Sequence, residues 1–238
     1  MTGLRSLLFA LYFALLSVAM TVGLSPLLVI GPRRWIIWAM RSWAFLALQG
    51  LKLIAGLRME VCGREHIPRG AALIASKHLS MWETMVFHLL LADPALVMKA
   101  ELKRVPLYGR YAERAQMLII DRGGGAKALR SLIAEAKARL ADQRQIVIFP
   151  EGTRVAPGAP PDYKPGIAAL YGMLGVPCIP VALNSGLYWP RRGLTRRPGT
   201  ILIEFLEPIP PGLPRAAFMS RLEERIEGAT TALLKRPA

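Results

Sequence analysis

The sequence predicts an α/β fold: a mixed, largely parallel sheet flanked by helices, preceded by an N-terminal hydrophobic two-helix membrane segment. Three observations carry this. From residue 58 onward, short apolar runs alternate with stretches of helical spacing, as in strands joined by crossover helices. From Ser6 to Pro32 there is no charged residue. A second apolar segment, residues 35–57, is rich in tryptophan and interrupted by Arg41 and Lys52. The expected organisation is a membrane-associated helical segment over 1–57 and an α/β domain over 58–238.

The uncharged run exceeds the roughly 20 apolar residues that cross a bilayer as a helix. Arg5 ahead of it and Ser17-Val18-Ala19 within it loosely resemble a signal peptide. Hydrophobicity continues past Ala19, however, and the second apolar segment follows, so a retained helical pair is the better reading. Pro26 and the step Gly31-Pro32-Arg33-Arg34 punctuate the pair. Tryptophan with basic residues on an amphipathic helix is the composition of the membrane interface. The cations nearby, Arg33, Arg34, Arg41, Lys52 and Arg58, point to the cytoplasmic face.

Past residue 58, LRMEVC starts strand-like and ends in a polar turn containing His66. Residues 71–76, AALIAS, form a continuous apolar run bounded by Arg69-Gly70 and Lys77, the pattern of a buried strand. Residues 84–92 read as a helix, with His88 on its apolar face, and 95–101 and 117–122 read as strands. Residues 125–141 set apolar and charged groups at helical spacing; 145–152, 176–183 and 200–209 are strands; 214–235 is a final helix. The stretches 157–161 and 193–199 are surface loops.

Composition limits the partners. Lys and Arg total 31 against 16 Asp and Glu, a net charge of +15 that attracts polyanions. Apolar residues make up 53% of the 238, and the mean hydropathy is +0.34, both high for a freely soluble globule. A nucleic-acid binder would interleave aromatic with basic residues on its soluble part. Here the tryptophans gather in the apolar N-terminal segment, so lipid is favoured over nucleic acid. The two cysteines, Cys62 and Cys178, make neither a disulfide framework nor a metal-ligand pattern and are expected to be buried in a reducing compartment.

The stretch SKHLSMWE, residues 76–83, combines a histidine with a glutamate five positions later. On one continuous helix the two would lie about 140° apart. Ser80 followed by Glu83, just ahead of an apolar run, is a capping-box signature, which starts the helix inside the motif. His78 then lies in the loop after strand 71–76, where Glu83 can accept the Nδ1 proton and leave Nε2 as a base. Alternatively, Glu83 serves only as a cap. Residues 149–154, FPEGTR, put Glu151, Gly152, Thr153 and Arg154 at the carboxyl end of a strand, the edge where open α/β sheets bind ligands. Lys99 and Arg122 end two further strands at that edge.

Four ordered blocks resemble those of the glycerolipid acyltransferases, and most closely the bacterial 1-acyl-sn-glycerol-3-phosphate (lysophosphatidate) acyltransferases. They are His78 with an acid after four residues, the stretch from Lys99-Ala100-Glu101-Leu102 through Pro106 and Gly109 to Ile120-Asp121-Arg122, Phe149–Arg154, and Val176–Pro180. Lys164 and Gly166 fall between the last two, as in that family. The usual acid of the first block is Asp, and here it is Glu83. The resemblance covers roughly residues 60–210. It implies acyl transfer from acyl-carrier protein or acyl-CoA to the sn-2 hydroxyl of lysophosphatidate, forming phosphatidate at a membrane. His78 would be the base and Glu83 its orienting partner, with Lys99, Arg122, Glu151, Gly152, Thr153 and Arg154 binding the acceptor. Neither cofactor nor metal is implied. Another lyso-lipid acceptor, such as lyso-ornithine lipid, or a non-catalytic membrane-surface protein are the alternatives.

Overall fold

The computed structural model describes residues 2–236; Met1, Pro237 and Ala238, the outer ends of the two expected units, lie outside them. Seven strands appear where the short apolar runs predict them: β1 Leu57–Cys62, β2 Ala72–Ser76, β3 Pro94–Lys99, β4 Leu118–Ile120, β5 Gln145–Ile148, β6 Cys178–Leu183 and β7 Gly199–Phe205. They form one sheet in the order β1-β7-β6-β2-β5-β3-β4. Neighbours from β6 through β4 are parallel; β7 runs antiparallel to β6 and pairs in parallel with β1. A parallel sheet is covered on both faces. This accounts for β2, at the centre, being buried at all five positions.

Helices α1 Thr2–Gly23, α2 Leu27–Ile30, α3 Arg33–Gly50, α4 Trp82–Leu90 and α5 Tyr108–Arg114 lie on one side of the sheet. Helices α6 Gly125–Ala141, α7 Gly166–Leu174 and α8 Arg215–Lys235 cover the other. Neither α5 nor α7 is expected from the sequence. Each is short, and α7 is too uniformly apolar to display a helical stripe.

The N-terminal helices share a core with the sheet: Phe9, Ile36 and Ala44 belong to the same buried cluster as Ile74 and Val147. Both expected N-terminal helices are present, but among the described residues α1 is the one helix long and apolar enough to cross a membrane. The cations of α3 explain the difference. The Arg33 guanidinium donates to both Asp93 oxygens at 2.8 and 2.7 Å, and Arg41 donates to the Ala92 carbonyl at 3.0 Å. Two cations read as markers of a membrane face are thus ties between α3 and the turn before β3. Helix α1 has two unlike sides, given about 100° per residue. Ser6, Phe9 and Phe13 face the protein, while Leu4, Leu8, Leu11, Leu15, Val18 and Val22 face outward and are exposed. The Trp43 indole donates to Ser17 Oγ at 3.0 Å and the Tyr12 hydroxyl to the Leu46 carbonyl at 2.9 Å, holding α1 along α3. Of the cysteines, Cys178 is buried as expected, but Cys62 is half-exposed because it ends an edge strand.

Gly50, at the end of α3, packs directly against Tyr12 of α1. A Cβ there would stand 2.0 Å from the Tyr12 ring. Alanine normally strengthens a helix relative to glycine, yet Gly50→Ala should destabilise the protein by about 1–3 kcal/mol through overpacking. The unfolding midpoint in detergent should then drop by roughly 2–10 °C. An unchanged or raised midpoint would contradict the close packing of α1 on α3.

Candidate active site

Four neighbouring parallel strands end at one sheet edge. There β2 delivers Lys77 and His78, β5 delivers Phe149–Arg154, β3 ends at Lys99 and β4 leads into Arg122. Ser80 begins the local arrangement: its Oγ accepts from the Trp82 amide at 3.0 Å, and its own amide donates to Glu83 Oε1 at 2.7 Å. Ser80 and Glu83 thus bond reciprocally as expected of a capping box, but the regular helix starts at Trp82, so Met81 rather than Ser80 is its N-cap residue. The cap and the pairing with histidine prove to be one arrangement. The same Oε1 receives the Leu79 amide at 2.7 Å and meets His78 Nδ1 at 2.9 Å.

Oε2 of Glu83 accepts from Ser80 Oγ at 2.7 Å and Ser185 Oγ at 2.9 Å. Burial acts to raise this carboxyl, but the hydrogen bond and charge of His78 and the bonds from Ser80 outweigh it. Glu83 is held below its ordinary value and stays ionised. A carboxylate only accepts, so Nδ1 of His78 carries a proton, and in the neutral ring Nε2 then presents a lone pair. The imidazole stacks on Phe149, centroids 4.0 Å apart and planes 19° apart, which fixes its plane. Nε2 has no protein partner among the described residues. The extra methylene of Glu83, relative to the Asp of the family pattern, is thus accommodated by a helix that starts between the two partners.

The FPEGTR loop divides into an inner and an outer half. Glu151 is 2% exposed and takes the Lys77 ammonium on Oε1 at 2.7 Å. Lys77, equally buried, also donates to both oxygens of Glu227 on α8, at 2.7 and 2.9 Å, and the Tyr163 hydroxyl donates to Glu227 at 2.8 Å. Burial raises the Glu151 carboxyl, opposed by Lys77. Glu151 therefore supports the loop from below rather than facing the outer site. Val155 closes the loop onto the histidine, its amide donating to the His78 carbonyl at 2.9 Å.

Gly152 adopts φ +67, and a Cβ there would stand 3.4 Å from the Arg122 guanidinium carbon. Arg122 and the FPEGTR loop are thus in close approach, although β3 separates their strands. Thr153 is exposed and Arg154 half-exposed; Lys99, at the end of β3, is exposed. None of Lys99, Arg122 and Arg154 has an ion-pair partner among the described residues. His66 sits in a polar turn and buried His88 lies on the core side of α4, both away from this edge.

The sequence reading missed Ser185, Lys77, Glu227 and Tyr163. Only Lys77 left a signal, as a cation directly abutting an apolar strand.

Residues 58–184 match the profile of the Acyltransferase family, and the chain belongs to it. Among curated relatives, the 1-acyl-sn-glycerol-3-phosphate acyltransferase of Pseudomonas aeruginosa is 35% identical over 166 residues, 70% of this chain and 65% of that protein. This chain thus spans just under two thirds of that relative's length. The lyso-ornithine lipid O-acyltransferase of the same organism is 30% identical over 197 residues, 74% of each chain. The crystal structure of the 1-acyl-sn-glycerophosphate acyltransferase PlsC from Thermotoga maritima superposes with a TM-score of 0.83 over the whole of both chains, at 22% identity; the fold is the same.

Loss of the Glu83 charge should appear as a pH-dependent stability change. Its carboxyl is depressed on folding, so its contribution is complete above the ordinary value of 4.5 and fades as pH falls through the lower folded value. Glu83→Gln should be clearly less stable at neutral pH in denaturant titrations, with the gap closing below about pH 4.5. A gap that stays constant into acid would mean the carboxylate is not held as described.

Proposed function

We propose that this protein transfers a fatty acyl group from acyl-CoA or acyl-carrier protein to the sn-2 hydroxyl of 1-acyl-sn-glycerol-3-phosphate, forming phosphatidate. The observation that carries it is the His78–Glu83 pair, with Nε2 open beside a loop that carries unpaired cations. Nε2 takes the proton of the acceptor hydroxyl as its oxygen attacks the thioester carbonyl. Glu83 stabilises the imidazolium and keeps its orientation. The tetrahedral intermediate expels the thiolate, which recovers the proton from Nε2, so neither cysteine forms a covalent intermediate. Arg154, Arg122 and Lys99 bind the acceptor phosphate; a guanidinium fork suits its oxygens. Gly152 and Thr153 form the adjoining wall. The reading requires no metal and no cofactor.

Acceptor and product are lipids, and the outward stripe of α1 supplies an apolar surface for the membrane. We place the chain at the cytoplasmic face, α1 half-embedded along its outward side, with residues 1–57 as the membrane-facing unit and 58–238 as the acyltransferase domain. A second reading, acylation of lyso-ornithine lipid, is favoured by the longer alignment with that relative. The three unpaired cations favour a phosphate-bearing acceptor.

Both acceptors should be offered to purified protein in mixed micelles, with oleoyl and palmitoyl thioesters of CoA and carrier protein. Phosphatidate should form, and His78→Ala should lower kcat by about 10²–10⁴ with little change in KM. Glu83→Gln should give a smaller loss in kcat. Product only from lyso-ornithine lipid would replace the acceptor, and none from either by folded protein would leave a non-catalytic membrane protein. Arg154→Ala should act differently, raising KM for lysophosphatidate about tenfold or more, with kcat less affected. An Arg154→Ala enzyme with unchanged KM would remove this residue from the phosphate site.

A further inference from the structure

The loop between β6 and β7 lies at the same sheet edge as His78. It leaves β6 through the turn Ser185–Leu187 and returns as the antiparallel strand β7. Its sequence, PRRGLTRRP over 190–198, holds four arginines, and no acid occurs from Asn184 to Ile203. The first 59 residues also lack any Asp or Glu.

This loop is built against α1. The Arg196 guanidinium lies over the Trp189 ring, 4.1 Å from its centroid, and donates to the Thr195 carbonyl at 2.9 Å. The Arg196 amide donates to Ser6 Oγ at 2.8 Å, and Phe9 meets the Trp189 ring edge-on at 5.7 Å. The Arg197 amide donates to the Tyr188 carbonyl at 2.9 Å. With Arg196 used to hold the loop together, Arg191 and Arg192 are left exposed, as is Leu194 at 61%. The turns of α1 that hold this loop through Ser6 and Phe9 also expose Leu4, Leu7 and Leu8, and neither stretch contains an acid. Neither Arg191 nor Arg192 has an ion-pair partner among the described residues.

We propose that Arg191, Arg192 and Leu194, together with the first two turns of α1, form a contact surface for an anionic lipid bilayer. The proposal rests on the membrane reading above and adds lipid selectivity to it. Guanidinium groups beside exposed leucines suit a charged headgroup layer over acyl chains. An acidic soluble partner, such as a carrier protein, would be drawn by the same arginines. It would give no use to the apolar edge of Leu4, Leu7, Leu8 and Leu194, which is why lipid is favoured. The contact would hold the edge carrying His78 against the surface where lipid acceptors reside.

The full chain, with Leu194→Cys in a Cys62→Ser background, is labelled at residue 194 with an environment-sensitive fluorophore. It is then reconstituted on vesicles containing a shallow lipid-borne quencher. Quenching should be strong on vesicles containing phosphatidylglycerol and weak on pure phosphatidylcholine. Arg191→Gln/Arg192→Gln, with Leu194 intact, should weaken partition to the anionic vesicles about ten- to thirtyfold. The loss should shrink at high salt, and turnover in detergent micelles should be unchanged. Protein that floats with both vesicle types, with equal quenching and no effect of the double substitution, overturns this proposal and leaves the membrane reading standing. Protein that floats with neither overturns the membrane reading itself. If the double substitution spares vesicle binding but slows only carrier-protein-dependent turnover, the surface serves an acidic protein, and the lipid assignment is wrong.

Discussion

The carboxylate of Glu83 is the point on which the rest of the site depends. A buried charge is costly unless it is fully hydrogen-bonded. Here two backbone amides, two serine hydroxyls and one imidazole converge on two oxygens. Those donors come from the loop after β2 and the turn after β6, and Glu83 itself sits in the first turn of α4, so one ionised group ties three segments. The same group that starts α4 fixes the tautomer of His78, and disturbing either role disturbs both.

Around that centre the sheet assigns distinct tasks to its two sides. Below the FPEGTR loop, buried Lys77 and Glu151 join half-buried Glu227 and Tyr163 in a network reaching α8 on the far layer. Above it, Lys99, Arg122 and Arg154 are left without ion-pair partners among the described residues. Paired charges hold the loop, and unpaired ones are available to an anionic ligand. On the helical side, α1 is docked through Ser6, Phe9 and Ser17 while its leucines and valines face away. The apolar surface of α1 and the edge that carries His78 therefore belong to one body.

Much of this was legible because short apolar runs and turn residues carry local information. Each of the seven strands lies within or across a run read from the sequence, and the order of blocks along the chain pointed to a common edge. Long-range partners left no such trace. Nothing near Ser185 or Glu227 indicates that they meet Glu83 and Lys77, since those contacts are created by the sheet order. Likewise Glu151, grouped with Arg154 by adjacency, faces the opposite way, because successive loop residues need not share a side. The Arg33–Asp93 pair converted an expected membrane-face cation into an internal tie, which only the packing of α3 reveals.

Glu83 keeps neutral His78 with its proton on Nδ1 and its lone pair on Nε2. Nitrogen-15 NMR of the histidine ring in the folded protein tests it directly, comparing the unmodified chain with Glu83→Gln. Neutral His78 should show one ring tautomer, protonated at Nδ1, with a shift toward mixed tautomers in the variant. A neutral ring protonated at Nε2, or a spectrum indifferent to Glu83→Gln, would contradict it.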